Sequence, residues 1–191
     1  MNQNKKKKQK GFTLIETLVS IFILLLAITG PLTVAQNGLK ASFLARDQIV
    51  AFYLAQDVIE TIKHLRDNYA LGLQQNMGHW LAGLGNCKPV NVGIPVVCTL
   101  DTSGNNVVTN SCQPGKCPQL GYDESIGKFG YSAGSPSKYT RTIYVTEIES
   151  NREAQIVVEI EWDSNFFAKR HVVVQENIFN WIPALLNFDD F

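Results

Sequence analysis

From Thr17 to Leu39 the chain carries no charged residue, and just before this stretch stand Lys5, Lys6, Lys7, Lys8 and Lys10. A bilayer core is crossed by about 20 mostly apolar helical residues, so the run is long enough to span. Lysines flanking such a segment favour the cytoplasmic side and set its orientation. Leu, Ile, Val and Phe dominate as far as Ala27, after which Gly30-Pro31 interrupts the pattern. Proline removes a helical hydrogen bond and crowds the preceding turn, so a kink or local unwinding is expected there. Glu16 is the discordant residue. An acidic side chain costs roughly 2.5–3.5 kcal/mol at mid-membrane, less at the cytoplasmic end where Glu16 sits. A secretory signal peptide shares the broad layout, and Thr33-Val34-Ala35 before Gln36 is an acceptable small-residue cleavage site. In that reading Glu16 breaks the apolar core and Gly11-Phe12 has no role. An uncleaved anchor and a lysine patch for nucleic acid or nuclear import are further readings. The last is weaker, since the place of the lysines before an apolar helix already accounts for them.

The order of features is a basic leader, then Gly11-Phe12, then Thr13-Leu14-Ile15-Glu16 opening an apolar helix. It resembles the N-terminus of the type IV pilin and pseudopilin family. The resemblance implies that a prepilin peptidase cuts between Gly11 and Phe12 and methylates the new amino terminus on Phe12. It further implies that Glu16 of one subunit meets the Phe12 ammonium of a neighbour in a filament. Such a pair in a low-dielectric setting favours one axial register more than it adds stability. The implied partners are prepilin peptidase, other major and minor pilins or pseudopilins, a pilus assembly platform and the membrane. The implied location is single-pass in the cytoplasmic (inner) membrane, with the C-terminal domain extracytoplasmic, and a pilus or pseudopilus after assembly. No cofactor is expected.

With 191 residues the chain has room for one modest domain beside the anchoring helix. Its mean hydropathy of −0.03 excludes a polytopic membrane protein. The formal net charge of +0 is an average over unlike parts. Cleavage after Gly11 removes five lysines, leaving twelve basic against seventeen acidic residues, a formal −5. A mildly acidic remainder gives no support for nucleic-acid binding through phosphates.

Cys87, Cys98, Cys112 and Cys117 all lie in the middle third. Outside the cytoplasm disulfides persist. Four cysteines allow three pairings, and Cys87–Cys98 with Cys112–Cys117 is expected because it closes short loops. A four-thiolate zinc site is the rival, with poor spacing for it.

Beyond Pro31, apolar residues recur at Phe43, Leu44, Val50, Tyr53, Leu54, Val58, Ile62 and Leu65, against a polar face of Arg46, Asp47, Gln56, Asp57, Glu60, Lys63 and Asp67. This three-to-four spacing predicts an amphipathic helix, continuous from about Thr13 to Asp67, with Lys63–Asp67 as an i,i+4 ion pair. Asn68 to Lys138 is rich in Gly, Pro, Asn and Ser and reads as a variable loop region, with a strand pair within Val92–Leu100. Ser111 to Cys117 reads as a turn. Three runs then alternate with period two, namely Tyr139–Glu149, Ala154–Trp162 and Arg170–Ile178, divided by Ser150–Glu153 and Ser164-Asn165. They predict an antiparallel meander, and Asn180 to Pro183 suggests a final apolar contact.

The expected fold is therefore α+β, a long N-terminal helix whose first half is transmembrane, packed on a C-terminal antiparallel sheet in the manner of a pilin. The divisions are a leader at 1–11, a transmembrane or filament-core helix at 12–38 and an amphipathic continuation at 39–67. A cysteine-bearing region at 68–138 and a sheet with tail at 139–191 follow. Arg141 on the first strand, Trp162-Asp163 ending the second, Asn180-Trp181 after the third, and Ala55-Gln56 with Glu60 on the helix narrow the resemblance. They look like the type IV pilus modification (V-type) minor pilins and the I-type minor pseudopilins of type II secretion.

No catalytic constellation is legible. His64 follows Glu60 by one helical turn, His79 lies beside Trp80 in a glycine-rich stretch, and His171 opens a strand. No glycine-rich loop joins a strand to a helix, and no Ser or Cys has an identifiable base. A structural subunit is the expected class. The alternative is a membrane-anchored extracytoplasmic binding module with ligand contacts in the cysteine-bearing region.

Overall fold

The computed structural model describes residues 11–71, 79–104, 106–132, 134–164 and 167–181. Residues 1–10, Asn165 of the second expected turn, and Ile182-Pro183 of the expected final contact lie outside the described residues. The fold is α+β. Helix α1 spans Leu14–Ala70, and a short 3-10 helix spans Ala82–Cys87. Seven strands follow, β1 (Val96–Asp101), β2 (Val108–Ser111), β3 (Gln119–Asp123), β4 (Lys128–Gly130), β5 (Ser135–Glu149), β6 (Glu153–Ser164) and β7 (Phe167–Phe179). The chain divides into two units, one ending at Ala45 and one beginning at Arg46.

In the first unit α1 is apolar on every side, and its large side chains from Leu14 to Leu39 are exposed. The hydroxyls in this stretch are satisfied locally. Those of Thr17, Thr29 and Thr33 donate to carbonyls three residues back, and that of Ser20 to the Glu16 carbonyl. Back-bonding of this kind leaves no hydroxyl seeking water. The helix runs unbroken through Gly30-Pro31, so the expected unwinding does not occur. Proline deletes one rung of the ladder, and in an apolar setting the rungs on either side hold the turn.

In the second unit α1 buries Ala51, Leu54, Ala55, Val58, Ile59, Ile62 and Leu65, a stripe at three- and four-residue spacing. This stripe joins one core with the inward residues of the sheet, Ile143 and Val145 of β5 and Ala154, Ile156, Val158, Ile160 and Trp162 of β6. All strand pairs are antiparallel. Strand β5 is central. One edge carries β6, in register from Tyr139↔Trp162 to Glu147↔Ala154 and shifted before Glu149↔Glu153, and β7 pairs beyond β6. The other edge is shared, with β1 opposite Ile143–Val145 and β3 opposite Ser135–Thr140. Strands β2 and β4 flank β1 and β3.

Three expectations differ from this arrangement. The stretch read as a variable loop holds four strands, and β5 begins at Ser135. Those added strands are short and complete a sheet whose long partner lies elsewhere in sequence, so their own periodicity is weak. Val92–Leu100 is not a strand pair: only β1 forms, after Pro95. The Lys63–Asp67 ion pair is absent as well. Lys63 Nζ lies 2.7 Å from Glu176 of β7 and 3.4 Å from Glu60, while Asp67 pairs with Arg66 at 2.8 Å. The cross-element partner wins because it brings the helix cation onto the sheet.

Arg141 is the polar centre of the helix–sheet joint. It is completely buried. Its Nη1 donates to the Leu54 carbonyl of α1 at 3.2 Å and its Nη2 to the Leu100 carbonyl of β1. The guanidinium faces the Tyr131 ring at 5.8 Å and lies 3.7 Å from Asp57, whose side chain is half exposed. Nε has no partner. A buried cation without its acceptors is strongly unfavourable, so helix and β1 must both be seated for this residue to be satisfied. Arg141→Ala is predicted to cost about 3–5 kcal/mol, and Asp57→Ala about 1 kcal/mol or less because that pair is partly solvated. Urea denaturation of the full chain in detergent measures both. Equal losses would mean that the ion pair, not the carbonyl contacts, holds the joint.

Candidate functional site

The N-terminal segment is built by the start of α1. Gly11, Phe12 and Thr13 precede the helix, and the Thr13 carbonyl accepts the amides of Glu16 at 3.1 Å and Thr17 at 3.2 Å. Glu16 therefore stands in the first turn. A carboxylate is favoured there, because unpaired amides and the helix dipole make that end positive. No side chain among the described residues pairs with it. Phe12, Leu14 and Ile15 around it are all exposed. The first turn thus presents a bare carboxylate among uncovered apolar side chains.

Helix α1 contains a window long and apolar enough to cross a membrane, with none of that window buried. The uncharged stretch Thr17–Leu39 would be about 34 Å long as helix against a hydrocarbon core of about 30 Å. An apolar surface this complete needs a non-aqueous environment.

Residues 6–30 match the prokaryotic N-terminal methylation motif. This N-terminal segment is type IV pilin-like. The match covers Lys6, Lys7, Lys8, Lys10, Gly11, Phe12, Glu16 and the helix to Gly30. No curated protein and no solved structure matches the chain. The pilin-like assignment thus rests on the N-terminal motif, and the α+β architecture beyond it is described in its own right.

The cysteines are joined as Cys87–Cys98 and Cys112–Cys117, with Cα–Cα distances of 5.4 and 5.2 Å. All four sulfurs are thereby engaged with one another and not available as thiolate ligands. The first bond is buried and ties the 3-10 helix to β1, while the second closes an exposed turn after β2. Gly85, within the 3-10 helix, has φ of +51°, and a Cβ there would lie 2.6 Å from the Thr109 hydroxyl. That hydroxyl accepts the Asn86 amide at 2.9 Å, so a glycine is needed for β2 to approach.

The histidines are dispersed. His64 Nε2 contacts Asn68 at 3.1 Å, and His171 lies opposite Glu161 on β6. His79 Nδ1 accepts the Leu81 amide, so its proton sits on Nε2, 3.2 Å from Glu147 Oε1. The same buried oxygen accepts Trp80 Nε1 and the Asn151 amide. Trp162 is buried in the core, whereas Trp181 is about half exposed.

Sequence reasoning did not single out Glu147 or Asp101, although both are buried acids. Alternation hints at Glu147, which falls on the inward phase of β5. Asp101 ends β1 and accepts the amide and hydroxyl of Ser103, the Tyr131 amide and the Ser132 hydroxyl. Burial pushes this carboxyl up, but the bonds from Ser132, Ser103 and Tyr131 more than reverse it and hold it at about 2. In the unfolded chain an aspartate titrates near 3.9. The contribution, about 2 kcal/mol, is present in full above that value and lost as pH falls through about 2. Asp101→Asn is predicted to be less stable than wild type at pH 6, with the difference shrinking between about pH 4 and pH 2. Denaturation across that range measures it, and a difference constant with pH would remove Asp101 as the titrating group.

Proposed function

We propose that this protein is a minor pilin or pseudopilin, a structural subunit that is assembled into, or initiates, a type IV pilus or type II secretion pseudopilus. The observation that carries the reading is the join between the methylation motif and a helix with two environments. Its first part is apolar and uncovered, and its continuation is sealed onto a sheet. A peptidase-processed anchor that later exchanges lipid for other apolar helices needs such a surface.

In this reading the lysines hold the N-terminus in the cytoplasm, and the disulfide-bearing unit stands outside the inner membrane, where disulfides persist. Prepilin peptidase removes Met1–Gly11 and methylates Phe12. The bare Glu16 carboxylate then takes the Phe12 ammonium of a neighbouring subunit as its partner. Two charges that are each costly in an apolar bundle relieve one another only in one stagger, so the pair sets register. The role is assembly and not catalysis.

The mass of the N-terminal peptide from the native membrane tests the processing step. A start at Phe12 bearing one additional methyl is expected, and a start at Met1 or at Gln36 would overturn the reading. For assembly, Glu16→Leu is predicted to enter the membrane at wild-type levels but to be depleted from sheared filaments or pseudopili. Undiminished incorporation of that variant would remove the register role while leaving the anchor intact.

A further inference from the structure

A cleft of about 360 Å³ opens between α1 and β4. Val50, Tyr53, Leu54 and Asp57 of the helix line one side and Lys128 and Phe129 of β4 the other, and Thr102, just after β1, completes the lining. Small-ligand pockets run from about 300 to 1,000 Å³ and combine apolar walls with a few placed polar groups. Both walls are held before anything binds. Leu54 is buried and its carbonyl accepts Arg141, and the Thr102 hydroxyl donates to Asp57 at 2.5 Å, which ties the strand end to the helix. The Phe129 ring packs on Tyr122 at 4.8 Å and edge-on to Tyr139 at 5.8 Å. A ligand would therefore spend little on ordering the site.

The polar groups around the cleft are unequally served. The Asp57 carboxylate has the Thr102 hydroxyl and stands 3.7 Å from the Arg141 guanidinium. Asp101, next to Thr102, is occupied by Ser103, Tyr131 and Ser132. Asp123 lies opposite Lys128 on β3, but its carboxylate takes the amide and hydroxyl of Ser125 at 2.9 and 2.6 Å. The Lys128 ammonium and the Tyr53 hydroxyl, by contrast, have no hydrogen-bonding or ionic partner among the described residues. The acids here have their donors, and two donors lack an acid. The apolar walls call for a ring or branched chain, and the open donors call for an oxygen anion.

We propose that this cleft binds a small apolar carboxylate, an aromatic or branched aliphatic acid whose body lies against Val50, Leu54 and Phe129 and whose carboxylate meets Lys128 and Tyr53. The concave shape suits a free small molecule better than a flat protein contact. The inference does not depend on the filament reading, because every lining residue lies beyond Ala45, in the second unit.

The test uses the full chain in nanodiscs of zwitterionic lipid, with empty discs as the blank. Three probes share one ring, namely fluorinated phenylpropionate, phenylpropanol and phenylpropylamine, and broadening of the fluorine resonance reads their binding. The acid is expected to bind, the alcohol more weakly and the amine least. Lys128→Gln is expected to weaken the acid about threefold to tenfold, and Lys128→Glu to reverse the order of acid and amine. Lys128 is exposed, so neither change disturbs the core. No binding of the acid beyond that of empty discs, equal binding of the three probes, or an order unmoved by Lys128→Glu would overturn the proposal. So would binding of a peptide ending in phenylalanine with the free acid inert, which would put a protein in place of the small ligand.

Discussion

The second unit depends on one buried guanidinium. Arg141 joins a helix carbonyl, at Leu54, to a strand carbonyl, at Leu100, and sits where no water reaches. An apolar stripe can slide along an apolar sheet at small cost, but a cation with two fixed acceptors cannot. The charge thus specifies the stagger of α1 on β5, and the surrounding core supplies the stability. At either end of the same contact other polar links repeat the measure. Lys138 of β5 pairs with Asp47, and Lys63 reaches across to Glu176. These are more exposed and correspondingly weaker, so they follow the register that Arg141 sets.

The same helix answers to two solvents. From Ala51 to Leu65 its buried positions form a stripe and its other faces carry charge, the pattern of a helix with a protein on one side and water on the other. From Thr17 to Leu39 there is no polar face to expose. The hydroxyls that remain have turned inward to their own backbone. Glu16 stands apart from this pattern, since its carboxylate has no side-chain partner among the described residues. Its place in the first helical turn makes it tolerable there, and a partner from another chain would make it favourable.

How much of this was legible in the sequence differed by element, for physical reasons. The N-terminal motif was legible because it is written in consecutive residues, and the match at 6–30 needs no folded context. Strands β5, β6 and β7 were legible because each is long enough to show its alternation, with Ile156, Val158, Ile160 and Trp162 inward. Of the short strands, β1 was read only as part of a strand pair within Val92–Leu100, and β2 to β4 were not read, since each has only three to five residues. They are held by contacts distant in sequence, such as Asp101 with Tyr131 and Ser132. The ionic partner of Lys63 was misjudged for the same reason. Helical spacing offers Asp67, but only the folded sheet brings Glu176 into reach. At Pro31 the helix continues, so the loss of a single hydrogen bond does not unwind it.

Two independent lines bear on the proposed orientation. The lysine cluster before α1 speaks to which side of a membrane the N-terminus keeps, through the energetics of moving positive charge. The disulfides speak to the redox state of the compartment that holds the rest. Neither uses the other's physics, and each could have pointed the opposite way. A buried Cys87–Cys98 bond that ties the 3-10 helix to β1 would be a poor choice for a domain folded among cytosolic reductants. In sequence the five lysines precede the apolar helix and the disulfides follow it, which supports the proposed orientation. That agreement of charge, redox chemistry and motif is what separates the pilin-like reading from a helix that merely happens to be apolar.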